Sequence, residues 1–228
     1  MNPRSHLVWL ALLVSCAPEA SPSASAPTRP ADAPSATAVA PLDIERAPDV
    51  PEAAPGGVPG VARVQEPAVA APGSVVKVRE FHPNGRIFTE RSERIGEQGT
   101  ARRVGPMKVW FENGQLRCEG GYDDDGTLSG HWRYWDERGA LLREGDFALG
   151  LREGDWVEYH PNGRKRYEGL LHLGLNEGPW TYWHGNGQRM AEGSYVNNRR
   201  EGPWLFWDEQ GSPDPRLSGL YKDNVRVQ

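Results

Sequence analysis

The chain has 228 residues, of which 26 are lysine or arginine and 31 are aspartate or glutamate, so its formal net charge at pH 7 is −5. Residues 74–228 carry 22 basic and 24 acidic residues without a basic stripe, which argues against a nucleic-acid-binding surface. The sequence contains no G-x-S-x-G, Walker or C-x-x-C motif, so the common signatures of hydrolases, nucleotide-binding proteins and redox enzymes are missing.

The first 16 residues have the layout of a signal peptide: Arg4, an apolar run over 7–14, and a small residue before Cys16. The run is too short for a membrane span, which needs about 20 residues. The sequence Leu-Val-Ser-Cys resembles the lipobox of bacterial lipoproteins, which implies a signal peptide over 1–15 and lipidation of Cys16. Ala17, rather than an aspartate, follows that cysteine. By analogy with enteric sorting rules, this predicts a lipid anchor in the outer membrane of a Gram-negative envelope.

Residues 17–73 have a different composition, with 16 alanines, 12 prolines and no aromatic residue. Such a segment buries too little apolar surface to offset the entropy of ordering. The sequence therefore predicts three parts: the signal peptide (1–15), the lipidated cysteine with a disordered Ala/Pro-rich tether (16–73), and a folded domain (74–228).

The folded domain is built from a unit of about 24 residues. After a degraded copy at 76–99, five copies follow, and each full copy opens with a glycine. The opening glycines are spaced by 25, 24, 24 and 24 residues. They are Gly105, Gly130, Gly154, Gly178 and Gly202. A period of this length indicates a repeat architecture in which each unit packs against its neighbours.

Each copy predicts one β-hairpin. An aromatic-rich run such as GPWTYW favours a strand, and it ends in a turn tetrad such as HPNG or HGNG. A second extended run follows and closes in a turn containing glycine or asparagine. Six hairpins would give about twelve antiparallel strands in an elongated single-layer sheet, about 55–60 Å wide.

Two columns of aromatic residues should run across this sheet. The first contains Trp132, Trp156, Trp180 and Trp204, which we expect to hold the sheet together. The second contains Trp110, Trp135, Tyr159, Trp183 and Trp207. Because the columns are three residues apart, a regular strand would point them to opposite faces. Either both faces carry aromatic residues, or a bulge at the opening glycine restores one face.

The pattern G-x-W-x-x-[WY]-x-x-x-G-x-x-x-x-E-G-x-[YF]-x-x-G resembles MORN repeats, and is similar to the bacterial variant found in proteins called YwqK-type antitoxins. The resemblance covers residues 74–228. It implies stacked hairpins without a catalytic centre, acting as a protein-interaction or membrane-associating module. The antitoxin label implies binding of a partner toxin, but the N-terminus, from which we predict export, departs from that label.

Residues that could carry chemistry have simpler structural explanations. Glu119, Glu144, Glu168 and Glu192 recur about 10 Å apart, a spacing that favours solvated ladder positions over a paired acid and base. If Cys16 is lipidated, Cys118 is alone in the mature chain and has no disulfide partner.

The remaining candidates lie in turns. His82, His160 and His184 share one turn position, and their spacing of about 10 Å favours turn capping over a shared metal ion. The cluster at 123–125 lacks the spacing of a calcium-binding EF-hand loop. We therefore expect no metal and no cofactor.

Together these features predict a non-enzymatic, lipid-anchored protein that binds another protein or an envelope surface. We expect the binding residues to be Trp135, Tyr159, Trp183 and Trp207, because interfaces favour tryptophan and tyrosine anchors. Self-association through the open sheet edges is a further expectation. The alternative is an antitoxin or immunity protein that neutralises a toxin by binding it.

Overall fold

The computed structural model describes residues 70–228 and, for the backbone, residues 62–65. These residues form one sheet of 14 strands, in which each strand pairs with its neighbours in sequence. The strands are β1 (Ala62–Gln65), β2 (Val75–Phe81), β3 (Ile87–Ile95), β4 (Ala101–Trp110), β5 (Leu116–Tyr122), β6 (Leu128–Trp135), β7 (Leu141–Ala148), β8 (Leu151–Tyr159), β9 (Lys165–His172), β10 (Leu175–Trp183), β11 (Arg189–Val196), β12 (Arg199–Phe206), β13 (Gly219–Lys222) and β14 (Val225–Arg226). All pairings are antiparallel. The predicted all-β sheet of stacked hairpins is confirmed.

The sheet has two more strands than the twelve that six hairpins would supply. β14 extends the last copy, whereas β1 pairs with β2 and lies within the range predicted as tether. The sheet therefore begins before the predicted boundary at residue 74. The predicted signal peptide, Cys16 and most of the predicted tether lie outside the described residues. Within the described part of the chain, no helix is long and apolar enough to cross a membrane.

The first aromatic column forms the core of one side of the sheet, which we call the packed face. Trp132, Trp180 and Trp204 are fully buried and Trp156 is 3 % exposed. Aromatic residues of the second strands fill the spaces between these indoles. Phe147, for example, meets Trp156 edge-to-face with ring centroids 5.3 Å apart. Such edge-to-face contacts add to the free energy of burial.

Each buried indole lies against a glycine of the preceding strand. A Cβ atom built at Gly145 would be 2.3 Å from Cδ2 of Trp156, and one built at Gly169 would be 2.2 Å from Cδ2 of Trp180. The same relation joins Gly120 to Trp132 and Gly193 to Trp204. Only a residue without Cβ leaves room for the ring, so the glycine of each recurring Glu-Gly pair supports the core.

The indole N–H groups of this column are also satisfied within the sheet. Trp156 Nε1 donates to the carbonyl oxygen of Asp146 at 3.0 Å, and Trp180 Nε1 donates to that of Leu170 at 3.1 Å. Trp132 and Trp204 donate equivalently to Gly121 and Ser194. A buried indole N–H without an acceptor would be costly, so these bonds fix each ring in one orientation.

Arginine side chains lie over the packed face. The guanidinium carbon of Arg152 is 5.4 Å from the ring centroid of Trp156, and that of Arg200 is 5.1 Å from the ring centroid of Trp204. Guanidinium groups stack favourably on aromatic rings while their alkyl stems cover apolar surface. This cover explains how indoles in a single-layer sheet become buried.

The opening glycines mark bulges. All five have positive φ, from 61° at Gly178 to 76° at Gly202. The strand register shifts beside them, for instance between Glu177 and Trp180 in the β9–β10 pair. These bulges do not bring the two aromatic columns to one face. Of the two alternatives that the sequence leaves open, the structure therefore has the first: aromatic residues lie on both faces.

Candidate protein-binding face

The second aromatic column lies on the side of the sheet away from the packed face, which we call the opposite face. Arg133 lies between buried Trp132 and Tyr134 in β6, so its side chain points to the opposite face. Its guanidinium carbon is 5.5 Å from the ring centroid of Trp135. We refer to Trp135, Tyr159, Trp183 and Trp207 as the outer row, and all four are half-buried.

Residues of the second strands lie between the members of the outer row. Leu141 pairs with Trp135, Lys165 with Tyr159, and Arg189 with Trp183. The ammonium of Lys165 is 5.9 Å from the ring centroid of Trp183, and the guanidinium carbon of Arg189 is 6.0 Å from that of Trp207. The outer row is thus a stripe of rings separated first by an aliphatic and then by basic side chains.

The tryptophans of the outer row differ from the buried ones in their hydrogen bonding. Each buried indole N–H donates to a backbone carbonyl. Within residues 70–228, the indole N–H groups of Trp135, Trp183 and Trp207 have no such acceptor. A half-exposed ring with an available donor is the type of group that anchors protein interfaces.

Tyr159 forms a hydrogen bond with one of the four recurring glutamates beside the outer row. We call these residues, Glu119, Glu144, Glu168 and Glu192, the glutamate ladder. The hydroxyl of Tyr159 donates to Oε1 of Glu144 at 2.8 Å. Burial, together with this hydrogen bond, raises the pKa of Tyr159 to about 12. The hydroxyl therefore stays protonated at neutral pH and remains a donor to Glu144.

The glutamate ladder lies on the opposite face, and most of its members have basic partners. Glu119 lies 2.5 Å from Arg133 and 3.3 Å from Lys108, while Glu168 and Glu192 pair with Lys165 and Arg189. Glu144 instead lies 3.5 Å from His131 in addition to its bond with Tyr159. These carboxylates therefore contact neighbouring side chains along the sheet, and no two of them face each other across a cleft.

The turn histidines join one repeat to the next. His160 Nε2 is 2.8 Å from the carbonyl oxygen of Trp183, and His184 Nε2 is 2.9 Å from that of Trp207. His82 makes the equivalent contact with Trp110 at 2.9 Å. Because a carbonyl only accepts, Nε2 must carry the proton. In the outer row these bonds hold the backbone of Trp183 and Trp207, a role more specific than the turn capping predicted from sequence.

Asparagines in the same turns extend this connection between repeats. Asn162 Nδ2 donates to the carbonyl oxygen of Gly185 at 2.6 Å, and Asn186 Nδ2 donates to that of Glu209 at 2.6 Å. In another copy, Asp136 occupies the turn position that the histidines have elsewhere. It accepts hydrogen bonds from the backbone N–H groups of Arg138 and Ala140 within its own turn. From Tyr159 to Trp207, the spacing of the outer row is therefore fixed by side-chain bonds between turns as well as by the strand ladder.

The other chemical candidates occupy structural positions. Cys118 is fully buried, and burial raises its pKa to about 12, so the unreactive thiol dominates at neutral pH. Asp123 accepts the N–H groups of Asp125 and Thr127 in a turn, and Asp124 lies 2.8 Å from Arg94. Among the described residues, no three histidine, cysteine, aspartate or glutamate side chains are grouped to hold a metal ion.

A second exposed apolar surface was not anticipated from the sequence. Leu149 and Leu173 are 79 % and 51 % exposed, and they occupy successive closing turns with φ values of 51° and 49°. Leucine is unfavourable at positive φ, and the equivalent residue in the next turn is Asn197, which adopts φ 48° more readily. The signal in the sequence was a leucine where a turn normally has asparagine or aspartate.

Comparison with known proteins agrees with the hairpin architecture. Three segments, residues 103–124, 152–171 and 176–197, match the family model described as a MORN repeat variant. A search of curated proteins returned no match to this chain. MORN repeats are commonly protein- or membrane-binding modules. The matched segments fall on the β4–β5, β8–β9 and β10–β11 hairpins, so the chain carries MORN-variant repeats in at least these three places.

Proposed function

We propose that this protein is a non-enzymatic, lipid-anchored binding module that captures another protein at the bacterial cell envelope. The outer row on the opposite face supplies the anchors for that partner. The packed face is occupied by its own core and by the arginines that lie over it. The opposite face instead has half-buried rings at a constant repeat spacing.

The observation that carries this proposal is the contrast between the two tryptophan columns. In the first aromatic column, which we call the packed column, the ring is buried and its N–H donates to a backbone carbonyl within the sheet. In the outer row the rings stay half-buried and, within residues 70–228, three indole donors are unused. Burial within the fold accounts for the first column. In the second column, the exposed part of each ring and the indole N–H groups remain available for contact with a partner.

Replacing Trp183 with alanine should weaken capture of the partner while the fold persists. The ring is a half-buried anchor, and loss of such an anchor costs about 1–2 kcal/mol or more of binding free energy. The measurement is affinity capture from envelope extract with purified full-length chain. Far-ultraviolet circular dichroism of the same samples reports whether the sheet is intact.

Two further variants give this experiment its control. Leu205 lies on the same face outside the outer row and is 46 % exposed, so Leu205→Ala should capture the partner normally. The double change Leu149→Asn and Leu173→Asn removes the apolar turn surface and puts a residue suited to positive φ in both turns. Capture that is lost in the double variant and retained in Trp183→Ala would assign the interface to the turns.

The anchoring part of the proposal rests on the N-terminal sequence. The expected lipidation site is Cys16, followed by the Ala/Pro-rich segment as a tether that holds the repeat domain off the membrane. Three acyl chains would give firm attachment, whereas one chain binds only marginally. The proposed location is the outer membrane.

Changing Cys16 to serine should abolish incorporation of a fatty-acid probe, because serine lacks the thiol that accepts the lipid. Metabolic labelling of cells expressing the native chain and Cys16→Ser compares the two directly. Equal labelling of both chains, or a mature protein that still begins at Met1, would show that the N-terminus is not a lipoprotein signal.

The second candidate function is an antitoxin or immunity protein, and it rests on the resemblance of the repeats to YwqK-type proteins. It would use the same opposite face to capture a toxin. The lipidation experiment also separates the two functions, since an antitoxin against a cytosolic toxin must remain inside the cell. A processed and lipidated Cys16 would count against it.

A further inference from the structure

Exposed aliphatic side chains cluster at the closing turns, at the ends of the strands opposite the histidine turns. Among the described residues, ten large hydrophobic side chains are exposed, and five of them belong to three successive closing turns. We call these five the leucine rim: Leu149, Leu151, Leu173, Leu175 and Val196. A Cβ atom built at Gly174 would lie 3.9 Å from Cδ2 of Leu151, so a side chain of one turn reaches the next turn.

The backbone at the two leucine tips is strained. Leu149 and Leu173 have φ values of 51° and 49°, a region that bulky residues rarely adopt. Asn197 occupies the equivalent position in the next turn, and asparagine tolerates this conformation more readily. The Leu149 side chain is 79 % exposed, so packing within the fold does little to offset the strain. Backbone strain at an exposed position is typical of contact sites.

The tips suit an apolar phase because backbone donors in the turn are already used. Lipid hydrocarbon offers no hydrogen-bond partner, so backbone groups that enter it must be satisfied within the protein. Leu173 N–H donates to Oε2 of Glu153 at 2.9 Å, and Gly174 N–H donates to the carbonyl oxygen of Arg152 at 2.8 Å. The turn can therefore enter lipid without leaving these two groups unpaired.

The extent of the leucine rim favours lipid over a protein partner. A standard protein interface takes about 800 Å² from each partner and includes roughly one hydrogen bond per 100–200 Å². Five partly exposed aliphatic side chains on protruding turns supply far less area than that. Shallow insertion into a bilayer needs only apolar contact, and it strengthens with the apolar area buried.

The proposed anchor places a bilayer beside the leucine rim. Residues 17–61 join Cys16 to β1, and a coil of 45 residues spans about 35–40 Å. The bilayer therefore stays within reach of the repeat domain, which raises its effective concentration. We infer that the leucine rim inserts into the bilayer that holds the acyl chains of Cys16, so that the domain stands on the membrane by its closing turns. This inference rests on the proposed function and adds a second membrane contact to it.

The charged groups beside the turns indicate which lipid surface is suitable. Glu153 and Glu177 lie directly behind the tips, where each accepts the backbone N–H of a turn residue at 2.9 Å. Arg199, beside the third turn, is paired with Asp223 at 2.7 Å, and Arg152 lies over the packed face. Because carboxylates stand behind the tips, the leucine rim suits a zwitterionic surface better than an anionic one. Contact with hydrocarbon, rather than with headgroup phosphates, would hold it there.

This orientation leaves the outer row accessible to a partner. Leu175 and Trp183 are eight residues apart in β10, and Leu151 and Tyr159 are eight residues apart in β8. Eight strand residues span about 26 Å. With the leucine rim in the bilayer, the outer row would stand at the other end of the strands, clear of the headgroups.

The test uses the mature, lipid-anchored protein in phosphatidylcholine vesicles that contain spin-labelled lipid as a quencher. Two reporter variants each carry one added cysteine with an NBD fluorophore: Val196→Cys at the leucine rim, and Gln210→Cys in an exposed turn at the other end of the strands. Cys118 is fully buried and stays unlabelled. We expect at least threefold stronger quenching at Val196→Cys than at Gln210→Cys, without an increase when phosphatidylglycerol is added.

The matched control adds Leu149→Asn and Leu173→Asn to Val196→Cys. Asparagine suits positive φ, so circular dichroism should stay unchanged while quenching falls to the level of Gln210→Cys.

Four results would overturn the inference. Equal quenching at the two reporters would show that the leucines stay out of the lipid, and the proposed anchor would stand. Quenching that survives the double change, or that needs phosphatidylglycerol, would assign the contact to headgroups. A Val196→Cys reporter shielded from aqueous iodide but not quenched from the lipid would assign the leucine rim to a protein, such as a second copy. Protein that does not float with the vesicles would contradict the anchor and the insertion together.

Discussion

Replacing Trp156 with alanine should lower the free energy of unfolding by about 3–5 kcal/mol, the usual cost of removing a buried large aromatic side chain. Trp156 is 3 % exposed, packs edge-to-face on Phe147 and donates to the carbonyl oxygen of Asp146. A domain of this kind has a total stability of about 5–15 kcal/mol, so the loss is a large share of it. Urea unfolding followed by circular dichroism measures the change.

The position of Trp156 in the array sharpens this expectation. It lies in β8, with hairpins on both sides, whereas Trp204 lies in β12 near the last strands. Repeat arrays are stabilised by contacts between neighbours, so Trp204→Ala should loosen β12–β14 and leave the earlier hairpins protected from hydrogen exchange. A Trp156→Ala variant within about 0.5 kcal/mol of the native chain would mean that the packed column does not hold the sheet together.

Adding a single methyl group at Gly169 should destabilise the sheet by about 1–3 kcal/mol, the cost of overpacking a close-packed site. The new Cβ would lie 2.2 Å from Cδ2 and 2.3 Å from Cε2 of Trp180. Trp180 is itself held by its bond to the carbonyl oxygen of Leu170, so the ring cannot move without losing that bond. Near-ultraviolet circular dichroism should report the displaced indole, and urea unfolding its energetic cost.

Gly185 provides the matched control for this substitution. It lies in a turn of the next hairpin, and a Cβ built there meets no atom within 4 Å. Gly185→Ala should therefore be neutral or slightly stabilising, because alanine restricts the unfolded chain. Equal stability of Gly169→Ala and Gly185→Ala would show that the indole does not rest on the glycine.

The sequence alone was sufficient to predict the sheet of hairpins, because a fixed period of about 24 residues dictates local structure repeatedly and tertiary contacts only join neighbours. The aromatic column at Trp132, Trp156, Trp180 and Trp204 was likewise visible as a recurring position. Its burial, and the contact of each indole with a glycine of the preceding strand, depend on how adjacent strands are registered. Sequence spacing does not report that register.

Other features were decided only by the tertiary structure. The outer row lies on the opposite face because the strand alternates regularly over the three residues from each buried tryptophan to the outer row. The bulges at the opening glycines precede both columns and leave their relative direction unchanged. β1 was missed because edge pairing uses backbone groups, which every residue carries. The bond from His184 to the carbonyl oxygen of Trp207 joins residues 23 apart, and only the stacking of one hairpin on the next brings those two atoms together.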